Sequence, residues 1–408
     1  MLLLSQSLTC DYVMRILFLS YWPLQDPLTS ATVLPHLRLL QERADIEAVL
    51  LVTIERNATS GTRPTLKLPF PAHKITFEPL ISQGGRSVLV NKTDDFLRFP
   101  RKLVEHVKAF RANFILARGA PAGSLAYLVW KQLKLPYYVE SFEPHAEYMR
   151  ESGVWRWFDP RYIFQQYWEN QQKRSAQGLM PVAENYRRRL LAEGVPPERV
   201  VTVPCSVNLT DFAFRPAARE QLRQQLGIQP EAMVGVYVGK FGGMYYDAEA
   251  FQLFRETADY FGTTFYLLIL SPQPATELWT KLNEANMDNE RVSVVFVPFD
   301  EVPNYLSAAD FAFGLHRPLP YVSPIKVGEY WASGLPVLLT EGVGDDSDII
   351  QQESGGALFN LSQPGSVNAA LRNLQTILGN PDHRQNVREL AVRYRSIEGA
   401  RAAYKLLF

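Results

Sequence analysis

The chain has 408 residues, of which 47% are hydrophobic and 21% charged, so it can bury two or three cores of ordinary size. Its 42 lysines and arginines balance 42 aspartates and glutamates. This zero formal charge argues against general nucleic-acid binding, which needs net or clustered positive charge. Cys10 and Cys205 are too few for a disulfide-stabilised secreted protein of this size, so a reducing cytoplasm is expected.

Residues 1–13 lack the basic start and the apolar run of a signal peptide, and they are predicted to be a disordered extension. No apolar run reaches the roughly 18 residues of a membrane span. The natural beginning of a first strand is at Met14.

Short apolar runs then alternate with helical patterns, as expected of strands buried on both faces of a parallel sheet. In the first half these predicted strands are residues 16–20, 46–54, 114–117, 137–141, 178–182 and 200–204. In the second half they are residues 232–238, 264–270, 292–297, 309–315, 336–340 and 357–359. Helices are predicted between them, among others at 122–133, 248–260, 275–285, 302–308, 366–378 and 382–407. The pattern predicts an α/β protein with two doubly wound parallel sheets.

The most informative stretch is residues 323–338, which predicts a loop, a short helix, a Gly-Leu-Pro break and a buried strand. It places Lys326 and Glu329 near the start of a helix at the mouth of a sheet. A helix N-terminus offers unpaired N–H groups that suit a phosphate, and a glutamate there can accept hydrogen bonds from paired hydroxyls. Together these features favour a sugar nucleotide as ligand.

A second candidate segment is the glycine-rich run 239–243, which follows a predicted buried strand. Its glycines allow close backbone approach, and Lys240 supplies a positive charge. A charge-assisted hydrogen bond contributes roughly 1.5–3 kcal/mol, so this lysine is expected to change ligand affinity tenfold or more. The acidic run 342–348 is expected to cap the helix that follows it.

These segments, in this order, resemble the GT-B fold glycosyltransferases, in particular retaining glycosyltransferase family 4 (glycosyl transferases group 1). The resemblance runs from about Met14 to the end. It implies two Rossmann-like domains facing a central cleft. Residues 14–205 would form an acceptor-binding domain and residues 206–383 a nucleotide-sugar donor-binding domain. Residues 384–408 would form a helix that crosses back to the first domain.

The resemblance also implies roles for single residues. Lys240 stands where the family has a cation at the donor diphosphate, but the family's second lysine, five residues on, is Tyr245 here, so Lys326 is expected to replace it. Glu329 matches the second of the family's two glutamates and is expected to hold the ribose hydroxyls, whereas the first glutamate is replaced by Tyr321. The complete predicted donor-binding set is Gly239, Lys240, Gly242, Gly243, Pro298, Tyr321, Ser323, Pro324, Ile325, Lys326 and Glu329.

Three residues at strand ends of the first half are candidates for catalysis. His145, with Glu143 beside it, stands where retaining members often have a histidine at the reacting sugar, and Arg118 is expected to contact acceptor or phosphate. A basic amphipathic helix over residues 98–111 and the aromatic run 155–168 are candidates for touching an anionic membrane, lining an acceptor groove or simply covering the core.

The predicted function is therefore transfer of a sugar from a nucleoside diphosphate, such as UDP, to the hydroxyl of a glycan, glycolipid or polysaccharide precursor. Retention, independence of metal and the absence of any cofactor besides the donor are expected from the resemblance. The predicted location is the cytoplasm, and association with the inner face of the membrane is a further expectation. Two alternatives stay open: a non-catalytic partner subunit that binds nucleotide sugars, favoured by the missing first glutamate, and a GT-B-like sugar-nucleotide epimerase.

Overall fold

The computed structural model describes residues 13–56, 64–82 and 88–408. The predicted N-terminal extension, residues 1–13, lies outside this part of the chain except for its last residue. The elements of the first half are β1 (Met14–Ser20), α1 (Pro27–Thr32), α2 (Leu34–Glu42), β2 (Ile46–Glu55), β3 (Ile75–Ile81), α3 (Val88–Phe110), β4 (Phe114–Arg118), α4 (Ala120–Leu133), β5 (Tyr137–Phe142), α5 (His145–Glu151), α6 (Pro160–Ser175), β6 (Gly178–Pro181) and α7 (Glu184–Ala192).

The second half contains fifteen further α-helices and β-strands within the described residues. They are α8 (Pro216–Gln225), β7 (Met233–Val238), α9 (Ala248–Phe261), β8 (Phe265–Leu270), α10 (Ala275–Glu284), β9 (Val292–Val295), α11 (Val302–Ala308), β10 (Phe311–Gly314), α12 (Ile325–Ala332), β11 (Val337–Thr340), α13 (Asp346–Glu353), β12 (Gly356–Phe359), α14 (Ser366–Leu378), α15 (His383–Tyr394) and α16 (Glu398–Leu407).

The chain packs into two compact units. The first unit contains residues up to 142 together with 168–179, and the second contains residues 143–167 together with 180–408. The segment that carries α5 therefore packs with the second unit, although it follows a strand of the first. The predicted boundary after residue 205, and the predicted return of residues 384–408 to the first domain, stay predictions.

The first sheet has six strands in the order β3-β2-β1-β4-β5-β6. Its central strand β1 is almost wholly buried and pairs in parallel with β2 and β4. Two expectations for this sheet were wrong. β3 was not predicted, because its alternating polar residues and Pro79 are typical of an edge strand. Residues 200–204 do not form a strand; Val200 N donates to the Pro197 oxygen (3.2 Å) and Val203 N to the Pro181 oxygen (2.8 Å).

The second sheet also has six strands, in the order β12-β11-β10-β7-β8-β9. Its strands pair in parallel, so the predicted α/β class with two parallel sheets is confirmed. From β7 the chain winds outward through β8 and β9, whereas from β10 it winds the other way through β11 and β12. In such sheets ligands bind at the carboxyl ends of the two strands where the winding reverses, which here are β7 and β10.

The helix α3 shows why its basic sequence does not by itself indicate a membrane surface. Phe99, Leu103 and Val107, which share one face, are buried, while Arg101, Lys102 and Lys108 on other faces are exposed. The apolar face is thus already used in the core of the first unit. None of the helices in the described residues has the length and apolar character needed to cross a membrane.

Candidate functional site

The candidate site lies in the second unit, where the winding of its sheet reverses. The segment after β7 begins with Gly239 and Lys240, and the segment after β10 contains His316. A short antiparallel bridge between Tyr245 and His316 joins these two segments. Residues that are far apart in the sequence therefore meet at the carboxyl ends of adjacent strands.

The glycine-rich run forms a tight loop with a defined backbone. Gly242 and Gly243 have φ values of 86° and 66°, a left-handed conformation that favours glycine. The loop closes through a hydrogen bond from Gly242 N to the Tyr246 oxygen (3.1 Å), and its start is held by Phe241 N, which donates to Gln273 Oε1 (2.6 Å). Lys240 is left exposed at the beginning of this rigid loop.

Helix α12 presents its N-terminus in the same unit. Pro324 occupies the N-cap position and, having no polar side chain, provides no capping hydrogen bond. The first backbone N–H groups of a helix have no partner within it, so they are available to an anion. The Lys326 ammonium extends from this first turn to Gly239, where it lies 2.9 Å from the position that a Cβ atom would take. The Lys326 ammonium therefore packs directly against the Gly239 backbone.

Lys326 and Glu329 are the two ionisable groups that α12 contributes, and neither has an ion-pair partner in the described ranges. Neither side chain forms an ion pair or hydrogen bond with any residue in the described ranges, and the Glu329 carboxylate is buried. Burial raises the pKa of Glu329 to about 7, against the opposing effect of the Lys326 ammonium. A buried carboxylate without a donor is costly, so the arrangement favours a ligand that brings hydroxyl groups.

Tyr245 and His316 complete this cluster, and neither was predicted to belong to the site. Their rings lie 4.6 Å apart, and the Lys326 ammonium lies 5.2 Å from the centroid of the Tyr245 ring. Burial, together with the Lys326 charge, lowers the pKa of His316 to about 3, so this imidazole is neutral. Tyr245 thus faces the lysine that was expected to replace the missing second cation. The position of His316 directly after a buried strand was the available signal.

The hydroxyl of Ser323 serves a structural purpose. Its Oγ accepts hydrogen bonds from Cys205 N (3.0 Å) and from the Arg395 guanidinium. Arg395 is itself buried and ion-paired with Asp346. With both lone pairs occupied, Ser323 fixes the loop before α12 and retains only its O–H to donate.

Tyr321, which replaces the family's first glutamate, is held between aromatic and cationic partners. Its ring lies 5.4 Å from that of Tyr186 and 5.2 Å from the Arg189 guanidinium. Arg189 in turn donates two hydrogen bonds, of 2.7 and 2.6 Å, to the Glu147 carboxylate. A network therefore runs from the donor segment through α7 to α5.

His145 begins α5, and its Nδ1 lies 4.0 Å from a carboxylate oxygen of Glu143. Both side chains are partly exposed, and the His145 ring packs edge-on against Trp155 at 5.8 Å. They belong to the second unit, as do the predicted donor residues. Pro298 is exposed and follows β9, which ends at Val295, two residues earlier than expected. The assignment of these residues to catalysis and donor binding stays a prediction.

Arg118 lies in the first unit, in a buried network that the sequence did not reveal. Its Nη1 donates to Glu140 Oε1 (3.0 Å) and lies 3.2 Å from His36 Nε2. His36 Nδ1 is 3.3 Å from the other Glu140 oxygen, and burial lowers the pKa of His36. The guanidinium is therefore fixed by internal partners.

The acidic run caps a different helix from the one expected. The Asp345 carboxylate accepts hydrogen bonds from Glu184 N (2.5 Å) and Asn185 N (3.0 Å), at the start of α7, whereas α13 has no side-chain cap. The expected local cap was wrong because the α7 N-terminus, from a distant part of the chain, takes the carboxylate.

We expect Asp345→Ala to lower the free energy of unfolding by about 1–2 kcal/mol, because two helix N–H groups lose their acceptor. Asp348→Ala is the matched control, since Asp348 is exposed in the first turn of α13 and should change stability little. Urea denaturation of both variants measures the difference. Equal stability of the two would contradict the cap.

Comparison with known proteins agrees with this architecture. Residues 30–206 match the family model of the glycosyl transferase 4-like domain. No curated relative matches the sequence. Among solved structures, HepE from Anabaena in complex with UDP-glucose is 13% identical, with a TM-score of 0.69 over 96% of this chain and 99% of that one.

Two further structures have the same fold over nearly the whole chain. Sucrose-phosphate synthase from Thermosynechococcus elongatus is 16% identical, with a TM-score of 0.71, covering 97% of this chain and 99% of that one. WaaG, a glycosyltransferase involved in lipopolysaccharide biosynthesis, is 17% identical, with a TM-score of 0.67, covering 96% and 99%. These matches confirm the predicted GT-B fold, and the predicted resemblance to family 4 agrees with the family model over residues 30–206.

Proposed function

We propose that this chain, whose residues 30–206 match a glycosyl transferase 4-like domain, transfers a sugar from a nucleoside diphosphate to a hydroxyl acceptor. The observation that supports the proposal is that Lys326 and Glu329 on α12 have no ion-pair partner among the described residues. Lys326 places a positive charge against Gly239, and Glu329 keeps a buried carboxylate without a hydrogen-bond donor. A sugar nucleotide supplies both missing partners, a diphosphate for the lysine and ribose hydroxyls for the glutamate.

Each group then has a defined task in the reaction. The negative charge that develops on the leaving diphosphate is stabilised by Lys326, Lys240 and the N–H groups at the start of α12. These groups are already in position when the bond between sugar and diphosphate breaks. No metal or further cofactor is required in this proposal. His145, with Glu143 beside it, orients the transferred sugar, and the departing phosphate takes the acceptor proton. We propose retention at the anomeric carbon.

We propose a uridine nucleotide as donor, because HepE, which shares the fold, is solved with UDP and with UDP-glucose. The acceptor is proposed to be a glycan, a glycolipid or a lipid-linked polysaccharide precursor, met in the cytoplasm with peripheral contact to a membrane. The low cysteine count supports this location.

A thermal-shift screen with UDP, GDP, ADP and their sugar conjugates tests the donor site. A ligand that binds only the folded protein raises the melting temperature as its concentration exceeds the dissociation constant. We expect UDP and UDP-sugars to stabilise the protein, with and without Mg²⁺. The absence of any shift at millimolar nucleotide would overturn the donor site. Binding without transfer to any acceptor, or without hydrolysis, would favour a non-catalytic partner subunit instead.

A further inference from the structure

An exposed group of large apolar side chains lies in the second unit, outside the donor site. Trp157 and Phe158, in the turn between α5 and α6, are 73% and 94% exposed. Val154 in the same turn, and Ile163 and Tyr167 on α6, are also exposed. We call these five residues the aromatic surface. Single exposed apolar residues are ordinary, but a cluster of this kind marks an interaction site.

The aromatic surface is held outward by a structured turn. Trp155, between the exposed residues, is buried against His145, and its backbone N–H donates to the Met149 oxygen (2.7 Å). Asp159 accepts hydrogen bonds from the backbone and guanidinium of Arg161 (2.9 Å each) at the start of α6. Because these hydrogen bonds already fix the turn, Trp157 and Phe158 are exposed in a defined position, and a partner can bind them without first ordering the turn.

The charges around the surface indicate the kind of partner. Arg150 stacks on the Trp157 ring, 4.6 Å from its centroid, and Arg156 is exposed beside it. Neither arginine forms an ion pair with a carboxylate in the described ranges. Residues 150–167 contain three arginines and two acidic residues, Glu151 and Asp159. Asp159 is ion-paired with Arg161. Arg150 donates a hydrogen bond to the Tyr162 hydroxyl (2.8 Å), so its charge is held in place but not neutralised. Positive charge at the rim of exposed aromatic side chains is complementary to anionic headgroups above an apolar layer.

We propose that the aromatic surface inserts into the headgroup region of a bilayer containing anionic lipids. Trp and Tyr prefer the interface between water and hydrocarbon, Phe158 and Ile163 supply apolar area, and Arg150 and Arg156 bind lipid phosphates. The basic helix α3, the other candidate, has its apolar face in the core. This inference deepens the membrane contact in the proposed function but does not depend on sugar transfer.

A membrane contact at this place has a direct relation to α5. The turn that carries Trp157 and Phe158 follows α5 after only a few residues, and Trp155 within it contacts the His145 ring. An acceptor attached to a lipid would therefore reach the protein at the bilayer beside the proposed catalytic histidine.

Sedimentation with lipid vesicles tests the inference on the full chain. The probes are vesicles of phosphatidylcholine alone and of phosphatidylcholine mixed with phosphatidylglycerol in equal parts. We expect the wild type to bind the mixed vesicles. The double variant Trp157→Asp, Phe158→Asp should bind about tenfold more weakly or not at all, because each substitution removes a large apolar side chain that would be buried in the bilayer. Leu406→Asp, which alters an equally exposed residue (74%) on α16, is the matched control and should bind as the wild type does.

Three results would overturn the inference. They are no binding of the wild type to the mixed vesicles, unchanged binding by the double variant, and equal loss in the Leu406→Asp control. Self-association of the wild type that the double variant abolishes would assign the surface to a second copy of the chain and overturn the lipid contact. A UDP thermal shift on the same samples separates this question from the donor site, because vesicle binding without a UDP shift would overturn only the proposed function.

Discussion

Lys326→Ala should weaken the binding of UDP by about ten- to a hundredfold. The Lys326 ammonium has no carboxylate partner within the described residues and lies against Gly239, so its charge is available to a diphosphate. A hydrogen bond to a charged group contributes roughly 1.5–3 kcal/mol, which corresponds to this loss of affinity. Isothermal titration of UDP into both proteins at low salt measures the effect.

The design separates loss of charge from loss of fold. Since no ion pair with a described residue is broken, the free energy of unfolding should change little. Lys326→Arg keeps the charge and should retain part of the affinity. Lys281→Ala is the matched control, because Lys281 belongs to the same unit and is paired with Asp247 (2.6 Å). UDP affinity in Lys326→Ala equal to that of the wild type would place the diphosphate elsewhere.

Glu329→Gln should make the empty protein more stable at pH 8 while weakening donor binding about tenfold. The folded-state pKa of Glu329 is raised to about 7 by burial, from an ordinary value of 4.5. Between these values the unfolded chain has lost the proton that the folded protein keeps, so stability falls as pH rises from 4.5 to 7 and is constant above. The shift corresponds to about 3 kcal/mol, which the neutral glutamine avoids.

Measurements at two pH values decide this prediction. The stability of the variant should exceed that of the wild type by more at pH 8 than at pH 5, in chemical denaturation. Asp346, whose pKa is raised to about 6 by burial, titrates in both proteins, so the comparison removes its contribution. The affinity of the wild type for UDP-glucose should rise between pH 6 and 8, as Glu329 ionises and accepts hydrogen bonds from the ribose. A parallel pH dependence in wild type and variant would show that Glu329 does not hold the ribose.

The sequence predicted the elements of the second sheet well because each of its buried strands is a short apolar run. Helices α11 and α14 have the bounds expected from their periodicity. The edge strand β3 was missed because it lacks such a run. The apolar valines of residues 200–204 predict a strand, but Val200 N donates to the nearby Pro197 oxygen and Val203 N to the Pro181 oxygen, which an apolar pattern does not reveal.

The candidate site was predictable only in part, for a related reason. Lys240, Lys326 and Glu329 stand at strand ends and helix starts, which a single sequence can show. The contacts of Tyr245 with His316 and Lys326 depend on β10 lying beside β7, and these strands are separated by β8 and β9 in the sequence. Likewise, Asp345 caps α7 across the fold. Contacts set by strand order and by burial cannot be seen in local spacing.

The grouping of residues 143–167 and 180–205 with the second unit affects how its donor site can be prepared in isolation. A fragment that begins at residue 206 would lack Tyr148, which belongs to the buried core of that unit. It would also leave Asp345 without the α7 N–H groups and Tyr321 without the Tyr186 ring and the Arg189 charge. A donor half that keeps these contacts has to begin at residue 143 instead of 206, and it then also contains residues 168–179, which pack with the first unit.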